Sequence, residues 1–89
     1  MFLLKFKLHG KEYLLHNGEG ESFVGAMTED TAHVISSQNV GKAIGVGGFE
    51  IVEVKDSEEL SNMIGGVPYS IISVSGGLGV YYSAVEIKQ

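Results

Sequence analysis

The chain has 89 residues, 44% of them hydrophobic and 19% charged, with 6 Lys+Arg against 11 Asp+Glu and a formal net charge of -5. That length fits one domain, residues 1–89, near the lower limit at which a single core stabilises a fold, so oligomerisation is a natural supplement. The apolar content excludes a disordered chain, the acidic balance argues against nucleic-acid backbones and anionic membrane surfaces, and the lack of cysteine excludes disulfides, thiolate metal sites and a cysteine nucleophile.

The N-terminal stretch MFLLKFKLHGKEYLLH is broken by Lys5 and Lys7 and lacks a small-residue cleavage site, so we expect neither a signal peptide nor a membrane span, and a cytoplasmic protein. Leu4, Phe6 and Leu8 alternate with Leu3, Lys5, Lys7 and His9, which is strand periodicity. A two-residue turn at His9 and Gly10 then pairs Phe6 with Tyr13, Leu4 with Leu15, and Lys7 with Glu12 as a salt bridge. Residues 17–22, NGEGES, read as a loop. Beyond it, 23–27 reads as a loop or short strand, Thr28 to Thr31 as a turn, and 32–36 as a strand.

An internal repeat follows. SQNVGKAIGVGGFEIVEV from Ser37 aligns without a gap on SEELSNMIGGVPYSIISV from Ser57, matching Val40 with Leu60, Ile44 with Ile64, Gly45 with Gly65, Phe49 with Tyr69 and Val54 with Val74. Each unit reads as a Ser-capped short helix, a glycine stop and an apolar strand. Helix–strand units in succession suggest parallel pairing of 32–36, 49–54 and 69–75, with skipped or reversed pairing as the alternative given connections of about a dozen residues. The glycines at 76, 77 and 79 then mark a hairpin into a last strand in which Val80, Tyr82 and Ala84 share one face and Tyr81, Ser83, Val85 and Ile87 the other. Apolar groups on both faces imply a central strand or burial in an oligomer. The fold class is therefore α+β: an N-terminal β-hairpin, two short helix–strand repeats and a C-terminal strand, in one mixed sheet with two short helices.

The glycine-rich GKAIGVGGFE at 41–50 resembles a phosphate loop in composition only. Such loops run strand, glycines, helix N-terminus, whereas here the expected order is helix, glycines, strand, and a helix C-terminus presents carbonyls that repel phosphate. The favourable order occurs upstream in VISSQN, which makes Ser36, Ser37, Gln38 and Asn39 the candidate ligand-binding residues for an anion or nucleotide, with simple capping by Ser37 as the commoner use of such a group. His9, His16 and His33 lack metal-ligand spacing and read as solvent-facing, so no metal or cofactor is expected. The carboxylate pairs Glu29/Asp30 and Glu58/Glu59 sit beside turns or helix starts, where capping is their ordinary task. Tyr81 and Tyr82 point to opposite faces, so at least one leaves the local core as a candidate partner interface, whereas Phe49 and Tyr69 read as packing residues.

The pattern GKEYLLHNGEG, then MTEDTAHVISSQNVGKAI and GFEIVEV, resembles small phage and prophage accessory proteins over residues 5–54. That resemblance implies a small protein binding a host factor or a signalling molecule, and it transfers no catalytic residue. The expectation from residues and resemblance together is a non-catalytic binding protein, a homo-oligomer, that sequesters or inhibits a host protein or a nucleotide-like small molecule. The alternatives are a small enzyme whose site forms at an oligomer interface, with His16, His33, Asp30 and Glu12 converging, and a structural assembly component.

Overall fold

The computed structural model describes residues 1–16, 23–39, 48–66, 71–75 and 81–88; at Asn39, 71–75, Tyr81 and Tyr82 it describes the backbone and not the side chains. Among the described residues six strands and two helices follow in the order β1 (Phe2–Leu8), β2 (Lys11–His16), β3 (Gly25–Ala26), α1 (Glu29–Asn39), β4 (Glu50–Glu53), α2 (Ser57–Ile64), β5 (Ile71–Ser75) and β6 (Tyr81–Glu86). The α+β class agrees with the expectation, and so does the element order except at 28–39, where a helix replaces the expected turn and strand.

The hairpin forms in the expected register, with Phe6 opposite Tyr13 and Lys7 opposite Glu12. His9 at φ 53 and Gly10 at φ 80 both take the left-handed conformation that a two-residue hairpin turn demands. Its ladder stops at Lys5 and Leu14, short of the expected Leu4–Leu15 pair. Beyond that point the two strands part, and residues 23–26 occupy the space between them. Gly25 and Ala26 pair with Leu3 and Phe2 of β1, while Phe23 bridges His16 of β2 and the Val24 N–H donates to the Leu15 carbonyl at 3.0 Å. The inserted segment approaches β1 so closely that a Cβ on Gly25 would lie 2.4 Å from the Phe2 carbonyl oxygen and 2.7 Å from Leu3 Cδ2.

On the opposite edge of β1, β4 pairs antiparallel through Leu3–Val52, Leu4–Ile51 and Lys5–Glu50. β2 pairs antiparallel with β6, and β6 with β5. The sheet therefore runs β4, β1, β2, β6, β5, with β3 sharing the β1 edge that β2 leaves. Among the described residues every pairing is antiparallel, so the expected mixed sheet with parallel association of 32–36, 49–54 and 69–75 is corrected: the first is helical, and the other two contain β4 and β5 at opposite edges. β4 and β5 do run in the same direction, as a crossover through α2 requires, but β1, β2 and β6 stand between them, so the two strands never meet. The C-terminal antiparallel pair β5–β6 is as expected; the intervening glycine segment lies outside the described residues, as do the 17–22 loop and most of GKAIGVGGFE. β6 is central, which accounts for apolar residues on both of its faces without an oligomer.

The principal correction concerns 28–39. The TED turn is the start of α1 rather than a break before a strand. The Thr28 hydroxyl accepts from the Thr31 N–H at 3.3 Å, and the Ala32 N–H donates to the Thr28 carbonyl at 3.1 Å, so Thr28 caps the helix. Glu29 and Asp30 then occupy the first turn, where the helix dipole favours acids. Ala32, Ile35 and Ser36 supply the inward stripe at helical spacing: Ala32 and Ser36 are buried, and Ile35 packs on the cluster of Leu4, Phe6, Tyr13, Leu15 and Ala84.

The second unit behaves as expected, with Asp56 rather than Ser57 at the cap. Asp56 accepts from the Glu59 N–H at 2.8 Å, and Glu59 returns by accepting from the Lys55 N–H at 3.0 Å. Gly65, at φ 81, stops α2. Leu60, Met63 and Ile64 cover the other face of the sheet, over Leu3, Leu14, Val54 and Val85. The Lys88 N–H then ties the chain end to the Met63 carbonyl at 2.7 Å.

Gly25→Ala tests the inserted segment. The new methyl meets backbone, which cannot yield as a side-chain tip can, so urea unfolding should give a loss of about 2–3 kcal/mol with the m-value unchanged.

Candidate functional site

The expected ligand residues lie at the wrong end of a helix for an anion. Ser36 to Asn39 form the last turn of α1, where carbonyls rather than N–H groups face outward. Ser36 is buried against the sheet, and the Ser37 hydroxyl donates to the His33 carbonyl at 3.1 Å, a back-bond within the helix rather than an N-cap. Gln38 is exposed, and the Asn39 side chain lies outside the described residues. Tyr81 and Tyr82 begin β6 opposite Ser75 and Val74; their side chains lie outside the described residues.

The residues that an interfacial enzyme would need to gather are divided by the sheet. Glu12 and His16 belong to the face covered by α2, whereas Asp30 and His33 are exposed on α1 across the sheet. His33 lies 3.6 Å from Glu29, its neighbour one turn earlier. His16 corrects the solvent-facing expectation, being 1% exposed with its ring edge-on to Phe23 at 5.0 Å. Its position opposite the inserted residue 23, rather than at a free strand end, buries it. Among the described residues no three His, Asp or Glu side chains are placed to share a metal ion.

The best-defined polar constellation is on β1. Lys5 Nζ lies 2.7 Å from Glu12 and 3.1 Å from Glu50, bridging β2 and β4 across its own strand. Sequence reading assigned Glu12 to Lys7, its register partner; the structure gives it to Lys5, which sits one step along the same face and is flanked by acids on both sides. Glu12 and then Glu50 accept from Lys5 and hold its pKa above the ordinary value of 10.5, against the opposing effect of burial. Beside it, Lys5, Phe6, Lys7, Gly48 and Glu50 line an open cleft of about 220 Å³. A second cleft of about 280 Å³, lined by Gly10, Lys11, Glu12, Glu86, Ile87 and Lys88, carries the Lys11–Glu86–Lys88 ion pairs. Both fall below the range of about 300–1,000 Å³ usual for small-molecule pockets, and Lys5 is paired with Glu50 in the first as Lys11 and Lys88 are with Glu86 in the second.

The exposed apolar groups are elsewhere. Met27, immediately before the α1 cap, is 80% exposed, and Val34, two turns along, is 56% exposed. Glu29, Asp30 and His33 are exposed around them, while Ala32 and Ile35 hold the opposite side of α1 on the sheet. The outward face of α1 is thus a mixed apolar and acidic surface. The signal for it is the run MTEDTAHV, which conceals its helical period while read as turn and strand. Among the described residues no helix is long and apolar enough to cross a membrane. Comparison with protein-family models, curated proteins and solved structures finds no match.

Lys5 gives a stability test. Its pKa is raised on folding, so its contribution is fully present below pH 10.5 and disappears as pH rises through the higher folded value. Lys5→Met should cost about 1 kcal/mol at pH 7 in urea unfolding, a figure discounted because Lys5 is 24% and Glu50 75% exposed, and should flatten the fall in stability above pH 10.5. Lys7→Met should change stability by less than about 0.5 kcal/mol.

Proposed function

We propose that the chain is a non-catalytic binding protein that holds, and thereby sequesters or inhibits, a protein target on the outward face of α1. The observation that carries this reading is the exposure of Met27 and Val34 beside the exposed acids Glu29 and Asp30. Large apolar side chains left in water on a short helix favour association, and acids around them select a partner of complementary charge. The target chemistry is a small apolar patch bordered by Lys or Arg, in keeping with the net charge of -5. This is also the kind of role that the resemblance to phage and prophage accessory proteins implies, the target then being a host factor. The nucleotide version of the expectation loses its premise, because Ser36 to Asn39 lie at the carbonyl end of α1.

Affinity capture with the wild-type chain and with Val34→Asp tests the reading. Val34 is exposed, so the substitution leaves the fold intact by circular dichroism, yet it should weaken retention of a target by about tenfold or more, and retention should fall with added salt. Equal retention by the two proteins refutes a site on α1.

A further inference from the structure

We propose that β5 is a self-association edge, and that two copies of this chain join there by antiparallel strand addition into one continuous sheet. The two edges of the sheet are chemically unlike. β4, at one edge, reads Glu-Ile-Val-Glu, with an acid at each end. Antiparallel addition of β4 to another β4 about its centre sets Glu50 opposite Glu53 twice, and with Lys5 answering only Glu50 the carboxylates still outnumber the cations and oppose this union. β5, at the other edge, reads Ile-Ile-Ser-Val-Ser, with no charge, proline or glycine to discourage a further strand. Among the described residues β5 pairs with β6 alone, and the backbone donors and acceptors of its outer side have no described partner strand.

A second copy fits this edge by symmetry. A two-fold axis at Ser73 sets Ser73 opposite its own copy, Ile72 opposite Val74 and Ile71 opposite Ser75, so every pairing is neutral and two are between an apolar residue and an apolar or small one. The acidic edge does not prevent the approach. β4 and β5 are four strand spacings apart, about 19 Å at about 4.8 Å each, more than twice the screening length of about 8 Å at physiological salt. The added ladder and the surface it covers supply what an 89-residue chain lacks in core.

The experiment combines light scattering after size exclusion with a single introduced thiol, since the chain has no cysteine of its own. Across a two-fold axis the Cα atoms of residue 73 in the two strands lie about 4.5–5.5 Å apart, within disulfide reach. We expect a wild-type dimer, rapid oxidation of Ser73→Cys to a disulfide-linked dimer, much slower oxidation of a control Glu58→Cys on exposed α2, and a monomer for Ser73→Lys with an unchanged circular dichroism spectrum. A wild-type monomer with both thiols oxidising at the same rate overturns the proposal. So does a dimer that survives Ser73→Lys, which places the contact elsewhere, or a monomer that takes up an extended Ile-Ile-Ser-Val-Ser peptide, which assigns the edge to a foreign strand. Val34→Asp leaves this dimer intact and Ser73→Lys leaves α1 intact, so the failure of either reading is distinguishable from that of the other.

Discussion

Leu3 and Leu4 are adjacent residues of one strand, their side chains on opposite faces, and both are 0% exposed. Successive side chains of a strand point to opposite sides, so burying both requires a layer above the sheet and another below. That requirement organises the chain. α1 lies over the Leu4 face, and α2 with Val54 and the chain end lies over the Leu3 face. A fully buried leucine contributes about 1.5–3 kcal/mol, and each helix alone is too short to persist in water. Helices and strand therefore depend on one another, and the two apolar clusters are halves of one condition.

The same condition explains why the hairpin parts. With β1 buried on both faces, its N-terminal half also needs a backbone partner on each edge. β4 supplies one, and residues 23–26 enter between β1 and β2 to supply the other. Gly25 makes the approach possible because any side chain there would meet the Phe2 carbonyl. His16 becomes buried as a by-product, opposite Phe23 of the entering segment. Lys5 marks the point of parting: it is the last residue paired with β2, it still pairs with β4, and its ammonium joins carboxylates from both.

What could be read beforehand divides along physical lines. The hairpin register, the glycine stop of α2 and the β5–β6 pair depend on local chemistry: a turn residue able to take positive φ, a capping acid, an alternation of period two. These were legible. α1 was not, because Thr28, Glu29, Asp30 and Thr31 suit a turn and a helix start equally well, and His33 to Ile35 contain two β-branched residues that suit a strand. Only the sheet surface waiting for Ala32, Ile35 and Ser36 decides for the helix, and that surface is assembled from β1, β2 and β6, far away in sequence. Moving the helix start from Ser37 to Glu29 turned the candidate anion site into a carbonyl end. The Lys5–Glu12 pair was hidden for a related reason: its choice over Lys7 follows from Glu50 on the far side, which no two-strand register contains.

Charge placement then separates the molecule into parts with different capacities. Lys5, Lys11 and Lys88 are engaged with Glu12, Glu50 and Glu86 across the sheet, and Asp56 and Glu59 with the start of α2. Those charges answer local needs and have little attraction left for an outside group. Asp30 on α1 and Glu53 at the end of β4 stand where they can meet a partner or repel one. An acid beside an exposed Val34 narrows association to surfaces of opposite charge, while acids closing an edge strand forbid its extension. β5 carries neither device. In a chain with 11 acids among 89 residues, β5 is a strand without charge at the edge of the described sheet, and the backbone rather than side-chain charge would govern any strand added there.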